Sequence, residues 1–246
     1  MRYLILSDIH SNQPALDAVL ADAAGEFDQI ICCGDLVGYG ADPNSVVDWA
    51  RGNVQAVVRG NHDKACAGLD DLEWFNPVAR SSAAWTIETL RAENTAYLRE
   101  LPKGPVAVNG YQILHGSPVD EDEYLVAAQE VARVRFHLQT KLSFFGHTHV
   151  QGGFLLTPTG VVRVPKTPPG QDHQVLEFED DVSYLINPGS VGQPRDGDPR
   201  AAYVLYNSEE KWLTYHRVVY DIALAQAKIH EAQLPQMLAN RLSNGA

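Results

Sequence analysis

The sequence predicts an α/β chain whose first part builds a parallel sheet and whose later part adds antiparallel strand pairs. Three observations predict it. Short apolar runs alternate with amphipathic helical stretches over residues 3–58, the pattern of parallel strands joined by crossover helices. From Val106 onward the runs come in pairs separated by turn residues. Five polar clusters each stand at the end of an apolar run: Asp8-Ile9-His10, Gly34-Asp35, Gly60-Asn61-His62-Asp63, His115-Gly116 and Gly146-His147-Thr148-His149.

Taken in order, residues 3–6 form a short apolar run and read as a buried first strand. The helix after it has Pro14 in its first turn and Ala15, Leu16, Val19, Leu20 and Ala23 along one stripe. Residues 29–33 are the second strand. Pro43 opens a helix with Val46, Val47 and Ala50 inward, and residues 54–58 are the third strand. A helix is expected over 76–91, with Thr95 capping a further short turn. Asn109-Gly110 between two apolar runs is a strong hairpin signal. Residues 129–139 read as helix and 142–145 as strand. Three strand pairs are expected after that: 153–156 with 161–164, 174–178 with 183–186, and 202–206 with 212–217. Residues 220–240 read as one terminal helix. The proline-rich stretch 165–170 reads as a defined loop, so residues 1–246 are expected to form a single domain.

Bulk properties narrow the function. An apolar share of 45% over 246 residues is ordinary for a globular protein with a sizeable core. No run approaches a membrane span, and the N-terminal residues lack a signal peptide's apolar region and cleavage site, so a soluble, cytoplasmic protein is expected. A net charge of −12 argues against general nucleic-acid binding, which needs a basic field. It leaves room for a small anionic substrate, because bound cations reverse the local potential. Cys32, Cys33 and Cys66 form no C-x-x-C pair and read as small buried hydrophobes.

The clusters carry the chemistry. Hard oxygen ligands and imidazoles gather where loops leave a sheet, a set able to hold two divalent ions. Two ions close together are the equipment of a phosphoester hydrolase. Singly, each cluster is weak evidence. His147 and His149 would face opposite sides of an extended strand, so a turn just past the strand end is needed to aim both at one site. Gly34, Gly60 and Gly146 supply backbone freedom or close approach beside the ligand candidates.

Together these motifs resemble the calcineurin-like metallophosphoesterase superfamily. The strings Gly34-Asp35-Leu36-Val37-Gly38-Tyr39-Gly40 and Asn187-Pro188-Gly189-Ser190-Val191-Gly192 resemble its small bacterial and archaeal phosphodiesterase-like branch. The resemblance spans residues 8–190. It implies a four-layer α/β/β/α sandwich of two mixed sheets with helices outside. It also implies one metal on Asp8, His10, Asp35 and His149, and another on Asp35, Asn61, His115 and His147, with Asp35 bridging. The mixed N/O set suits Mn, Fe, Zn or Ni better than Ca or Mg. A hydroxide bridging the two ions would attack phosphorus in line with the leaving oxygen. His62, beside Asn61, is expected to meet the metal-bound phosphate and, as imidazolium, to assist the leaving group. Asp63 is expected to orient that ring and raise its pKa, to cap the helix that starts there, or both.

Other functions stay open at this level. A dinucleoside-polyphosphate or protein phosphatase would carry the same ligand set, and a metal-binding scaffold without catalysis would keep part of it. A loop over residues 163–173 is a candidate lid, and His173 a candidate substrate contact. Asn187 is expected to brace a ligand loop. Arg195 is expected either to bind a substrate phosphate or to pair with Asp196 or Asp198 on the surface.

Overall fold

Two six-stranded sheets face one another in the computed structural model, which describes residues 1–246. The first has the order β3 (Val54–Val57), β2 (Gln29–Cys32), β1 (Arg2–Leu6), β11 (Ala201–Asn207), β12 (Trp212–Val218) and β9 (His173–Glu177). Here β1, β2 and β3 run parallel and β11 joins β1 antiparallel. The second has the order β4 (Val106–Val108), β5 (Tyr111–Ile113), β6 (Leu142–Phe144), β10 (Ser183–Asn187), β7 (Gly152–Thr157) and β8 (Gly160–Val164). Its parallel members are β5, β6 and β10. Both sheets are mixed, as the resemblance implies.

The layers follow from the two-residue period of a strand. On β1, Tyr3 and Ile5 point into the core between the sheets, where they meet Tyr111, Phe144, Ile186 and Tyr215. Leu4 and Leu6 point the other way, onto α1 (Gln13–Asp22), α2 (Pro43–Asn53) and α5 (Ala92–Glu100). A strand buried on both faces must be apolar throughout, which is why residues 3–6 show no alternation. Beyond the second sheet, Phe145, Phe154 and Leu185 pack against Val131 and Val134 of α6 (Ala128–Val134). The order helix, sheet, sheet, helix is thereby complete. No helix is long and apolar enough to cross a membrane.

Five expectations need correction. Residues 174–178 and 183–186 do not pair with each other. Residues of β9 alternate exposed and half-buried, which suits the edge it takes beside β12, whereas β10 is buried and sits between β6 and β7 in the other sheet. The terminal helix is two, α7 (Ile222–Glu231) and α8 (Gln236–Leu242). Pro235 lacks the N–H a continuous helix needs, and Gln233 takes a left-handed φ of 56°. Thr95 caps nothing. It lies inside α5 and donates its hydroxyl back to Arg91 O. α4 (Pro77–Thr89) stops before Arg91, and α6 gives way after Val134 to a single 3₁₀ turn. The Asn109-Gly110 turn is as expected, with φ of 41° and 94°.

The topology sets the position of the clusters. Asp8, Asp35 and Asn61 follow the C-terminal ends of the parallel strands β1, β2 and β3; His115 and the pair His147 and His149 follow β5 and β6. Loops at the carboxyl ends of parallel strands gather at one edge of a sheet, and the two facing sheets bring both sets together.

Candidate metal centre

Two groups of side chains converge there. Potential ligand atoms of Asp8, His10, Asp35 and His149 lie within 4.8 Å of one another, and so do those of Asp35, His115 and His147. Asp35 belongs to both. All six are buried. The local backbone explains how neighbours in sequence reach one point. Asp8, His10, Asp35, His147 and His149 all adopt positive φ, between 48° and 67°. Left-handed turns at His147 and His149 break the strand's alternation and aim both rings at the cluster. Such conformations cost roughly 1–3 kcal/mol each and persist only where surrounding bonds hold them. Those bonds are present: Asn187 Nδ2 donates to Gly146 O at 2.9 Å and to Thr148 Oγ1, Ser190 Oγ donates to Asp8 O at 2.7 Å, and Asp8 N donates to Gly34 O.

The donor set fits divalent cations. His10 Nδ1 donates to Val37 O at 2.9 Å and His149 Nδ1 to Gln193 O at 2.6 Å, which leaves a lone pair on each Nε2. Those two Nε2 atoms face each other at 3.1 Å. Burial pushes both imidazoles well below the ordinary histidine value, so both are neutral. Two lone pairs in contact repel. Nitrogens bound to one ion at ~2.0–2.1 Å and at a right angle stand about 3 Å apart, so an ion converts that repulsion into ligation. His115 repeats the pattern, its Nδ1 donating to Cys33 O at 2.8 Å. Asp35 Oδ2 is buried with no hydrogen-bond partner, 3.5 Å from His10 Nε2 and 3.4 Å from His115 Nε2. Burial alone would lower His115, but the Asp35 carboxylate beside it, joined by Asp8 and the Cys33 carbonyl, outweighs burial and holds the metal-free ring up at about 10, a proton that a cation at Nε2 would displace. The residues thus form a dinuclear divalent-metal site.

Around this centre lies a cleft of about 420 Å³. Asn61 borders it, with Oδ1 3.3 Å from His115 Nε2. His62 also borders it. Its ring is boxed by Tyr39, Phe75 and His10 at centroid distances of 4.3, 4.8 and 5.0 Å, and the backbone N–H of His62 donates to Asp35 Oδ1. Asp63 makes no hydrogen bond to that ring. Its carboxylate instead accepts the N–H groups of Asp35, Val37 and Gly60, tying two ligand loops together and holding the start of α3 (Asn61–Cys66). The expected rise in the His62 pKa is likewise overturned: burial pushes it down to about 4.

Arg195 pairs with neither neighbouring aspartate, because Asp196 is taken by Arg217 and Asp198 by Arg200. It turns toward the centre, 5.4 Å from the Tyr39 ring. The 163–173 loop is no lid: Lys166 reaches Asp196 O, Thr167 meets Gln151, and Asp172 meets Arg200, all outside the cleft lining. His173 faces His216 across β9 and β12, also away from the cleft. The walls instead come from Trp74, Phe75 and Tyr124, whose ring lies tilted against His147 with centroids 3.8 Å apart. Sequence reasoning missed Tyr39, Tyr124, Trp74 and Arg241. Tyr39 sits inside a motif already singled out; no local signal marks the others.

Two expected outcomes arise from this geometry. Gly38 has φ of 88°, and a Cβ there would stand 2.3 Å from His62 Nδ1. Gly38→Ala should displace the His62 ring and lower kcat/KM by about tenfold or more while two metals stay bound; an unchanged rate would show that the position of His62 is immaterial. The second outcome concerns acid. Burial pushes His62 and His216 down to about 4, His147 to about 3, and His10 and His149 well below the ordinary value. Below pH ~6.5 the unfolded chain binds protons on these rings and the folded, metal-free chain does not, so stability present above that pH is lost as pH falls toward 4. Asp8 and Asp63, which burial raises to about 7, and His115, held up at about 10, oppose this, three groups against five. The melting temperature of the metal-free protein should therefore drop between pH 6.5 and 4.5, and a flat profile would contradict the buried neutral rings.

Two buried clusters sharing one carboxylate, at the loop edge of a two-sheet sandwich, define a metal-dependent phosphoesterase. The chain belongs to the calcineurin-like phosphoesterase superfamily, whose domain model matches residues 1–211. It is similar to a metallophosphoesterase from Sphaerobacter thermophilus, with a TM-score of 0.87 and 41% identity over 100% of this chain and 99% of that one. It is also 34% identical to the uncharacterized protein MJ0912 of Methanocaldococcus jannaschii, covering 98% of this chain and 97% of the relative. The hypothetical protein PH1004 from Pyrococcus horikoshii shares the fold, with a TM-score of 0.78 at 20% identity over 100% and 98% of the two chains.

Proposed function

We propose that the protein hydrolyses a small-molecule phosphoester, a diester or a monoester, with residues 1–246 acting as one domain. The observation that carries this is the cleft. At about 420 Å³ it has the size of a small-molecule site, and it opens onto His147, Asn61 and His62 between aromatic walls. A protein phosphatase would be better served by an open groove. A silent scaffold has no use for His62 held in place beside a complete ligand set.

In this reading Asp8, His10, Asp35 and His149 hold one ion, and Asp35, Asn61, His115 and His147 hold the other. Two such ions, from among Mn, Fe, Zn and Ni, supply Lewis acidity toward the phosphoryl oxygens and a nucleophilic water at neutral pH. His62 presents Nε2 to the cleft, since Nδ1 is buried toward Gly38. From there it donates a proton or a hydrogen bond to the leaving oxygen, and the negative charge of a bound phosphate opposes the burial that keeps the ring neutral. Asp63 acts as a positioning residue through its three N–H bonds. Arg195 holds substrate from the rim. A cytoplasmic setting belongs to the same proposal and is supported by three free, buried thiols.

The test is a panel of phosphomonoesters and phosphodiesters, including p-nitrophenyl phosphate and its bis ester, assayed with Mn, Ni, Zn, Fe and Mg. Turnover with at least one of the first four, above that with Mg, is expected. No turnover of any ester with any metal would overturn the reading.

A further inference from the structure

We propose that Arg195 and Arg241 together form a second anion subsite, which takes a second phosphate group of the substrate. This rests on the phosphoesterase reading and narrows its substrate to phosphoesters that carry another phosphate nearby. The two arginines come from distant parts of the chain, Arg195 from the loop after Ser190 and Arg241 from α8. They meet at one point. Arg195 Nη2 donates to Gln193 Oε1 at 3.0 Å and Arg241 Nη1 to the same oxygen at 3.1 Å. Both guanidiniums also lie against the Tyr39 ring, at 5.4 and 5.8 Å.

Charge makes the pairing unusual. Acidic residues outnumber basic ones by 31 to 19 in this chain, yet neither arginine has a carboxylate partner. The acids beside Arg195 are engaged by Arg200 and Arg217. Arg195 Nε is buried with no hydrogen-bond partner at all. Two like charges sharing a single neutral acceptor repel each other, and a buried N–H left unpaired costs ~1–3 kcal/mol. An anion relieves both penalties. Two positive charges match a phosphate dianion better than a singly charged carboxylate, and a guanidinium fork matches its oxygens two at a time.

Placement ties this pair to the metal centre. Tyr39, which receives both guanidiniums, lies 4.6 Å from the His10 ring and 4.3 Å from the His62 ring. Gln193, which orients both, gives its carbonyl to the ligand His149 and its N–H to Ser190 Oγ. One phosphate at the metals and another at the arginines would therefore flank Tyr39. Arg241 lies beyond residues 1–211, the part that the superfamily domain accounts for. The C-terminal helices thus add a substrate-selecting element to a shared hydrolytic centre.

The experiment measures inorganic pyrophosphate and orthophosphate binding by calorimetry, with and without Mn, in the wild type, Arg241→Ala, Arg241→Gln and Arg195→Ala. It also compares turnover of p-nitrophenyl phosphate with that of nucleoside 3′,5′-bisphosphates, in which one phosphomonoester bond is cleaved while the other phosphate is held. Each variant should weaken pyrophosphate about tenfold or more beyond its effect on orthophosphate, and turnover of the bisphosphates should fall by a similarly larger factor. Part of the pyrophosphate loss should persist without Mn. The Gln variant retains an amide beside Gln193 and carries the test if the Ala variant melts early. Equal losses for one and two phosphates would overturn the subsite and leave the arginines as braces on Tyr39. Arginine-dependent pyrophosphate binding without turnover of any ester would uphold the subsite while sinking the hydrolase reading.

Discussion

Asp35→Asn is expected to abolish activity and to strip the protein of both metals. Asp35 Oδ2 is the buried, unpartnered atom between the two clusters, within 3.5 Å of His10 Nε2 and His115 Nε2. Against burial, its charge is the main influence that holds His115 up, and in turn, against burial, His115 and the neighbouring rings keep the Asp35 carboxyl well below the usual range. The amide removes a negative charge where two cations would meet and can turn N–H toward imidazole lone pairs. Oδ1 can still accept the His62 N–H, so the fold should survive. The loss should exceed the ~10–100-fold typical of residues that merely support a ligand. Elemental analysis after dialysis should find fewer than one ion per chain. Two retained ions with near-wild-type turnover would refute the shared role of Asp35.

His62→Ala should behave in the opposite way toward metal. The ring contributes no atom to either cluster, so both ions should stay, while the rate falls by ~10²–10⁴, the usual range for a proton-transferring side chain. The loss should be smaller for p-nitrophenyl esters than for alkyl esters, because nitrophenolate leaves with little help. His62→Gln keeps more of the volume between Tyr39, Phe75 and His10 and guards against collapse of that box. Equal losses for good and poor leaving groups would remove His62 from the leaving-group step.

What the sequence by itself determined is local in origin. Doubly buried strands must be apolar, and a helix on a sheet must show one stripe, so β1, β2 and the helices after them were legible; β3, an edge strand with Gln55 exposed, was legible from its short apolar run. Asn109-Gly110 accepts left-handed φ angles, so the hairpin was legible too. The metal residues were readable as a set because each stands just past an apolar run, although their division between two ions came from family resemblance.

Only the tertiary structure decided the rest, because those features depend on contacts between distant residues. Propensity cannot show that β9 and β10, a few residues apart, belong to different sheets. Nor can it show that Asp63 spends its oxygens on the backbone of Asp35 and Val37 in place of the adjacent His62 ring. Arg195 looked free to pair with its neighbours until Arg200 and Arg217 were seen to hold them. Arg241 is 48 residues from Gln193, whose side chain it shares with Arg195. A pattern read along one helix records which face is apolar; which charge that helix delivers to a site is settled by how the helix docks.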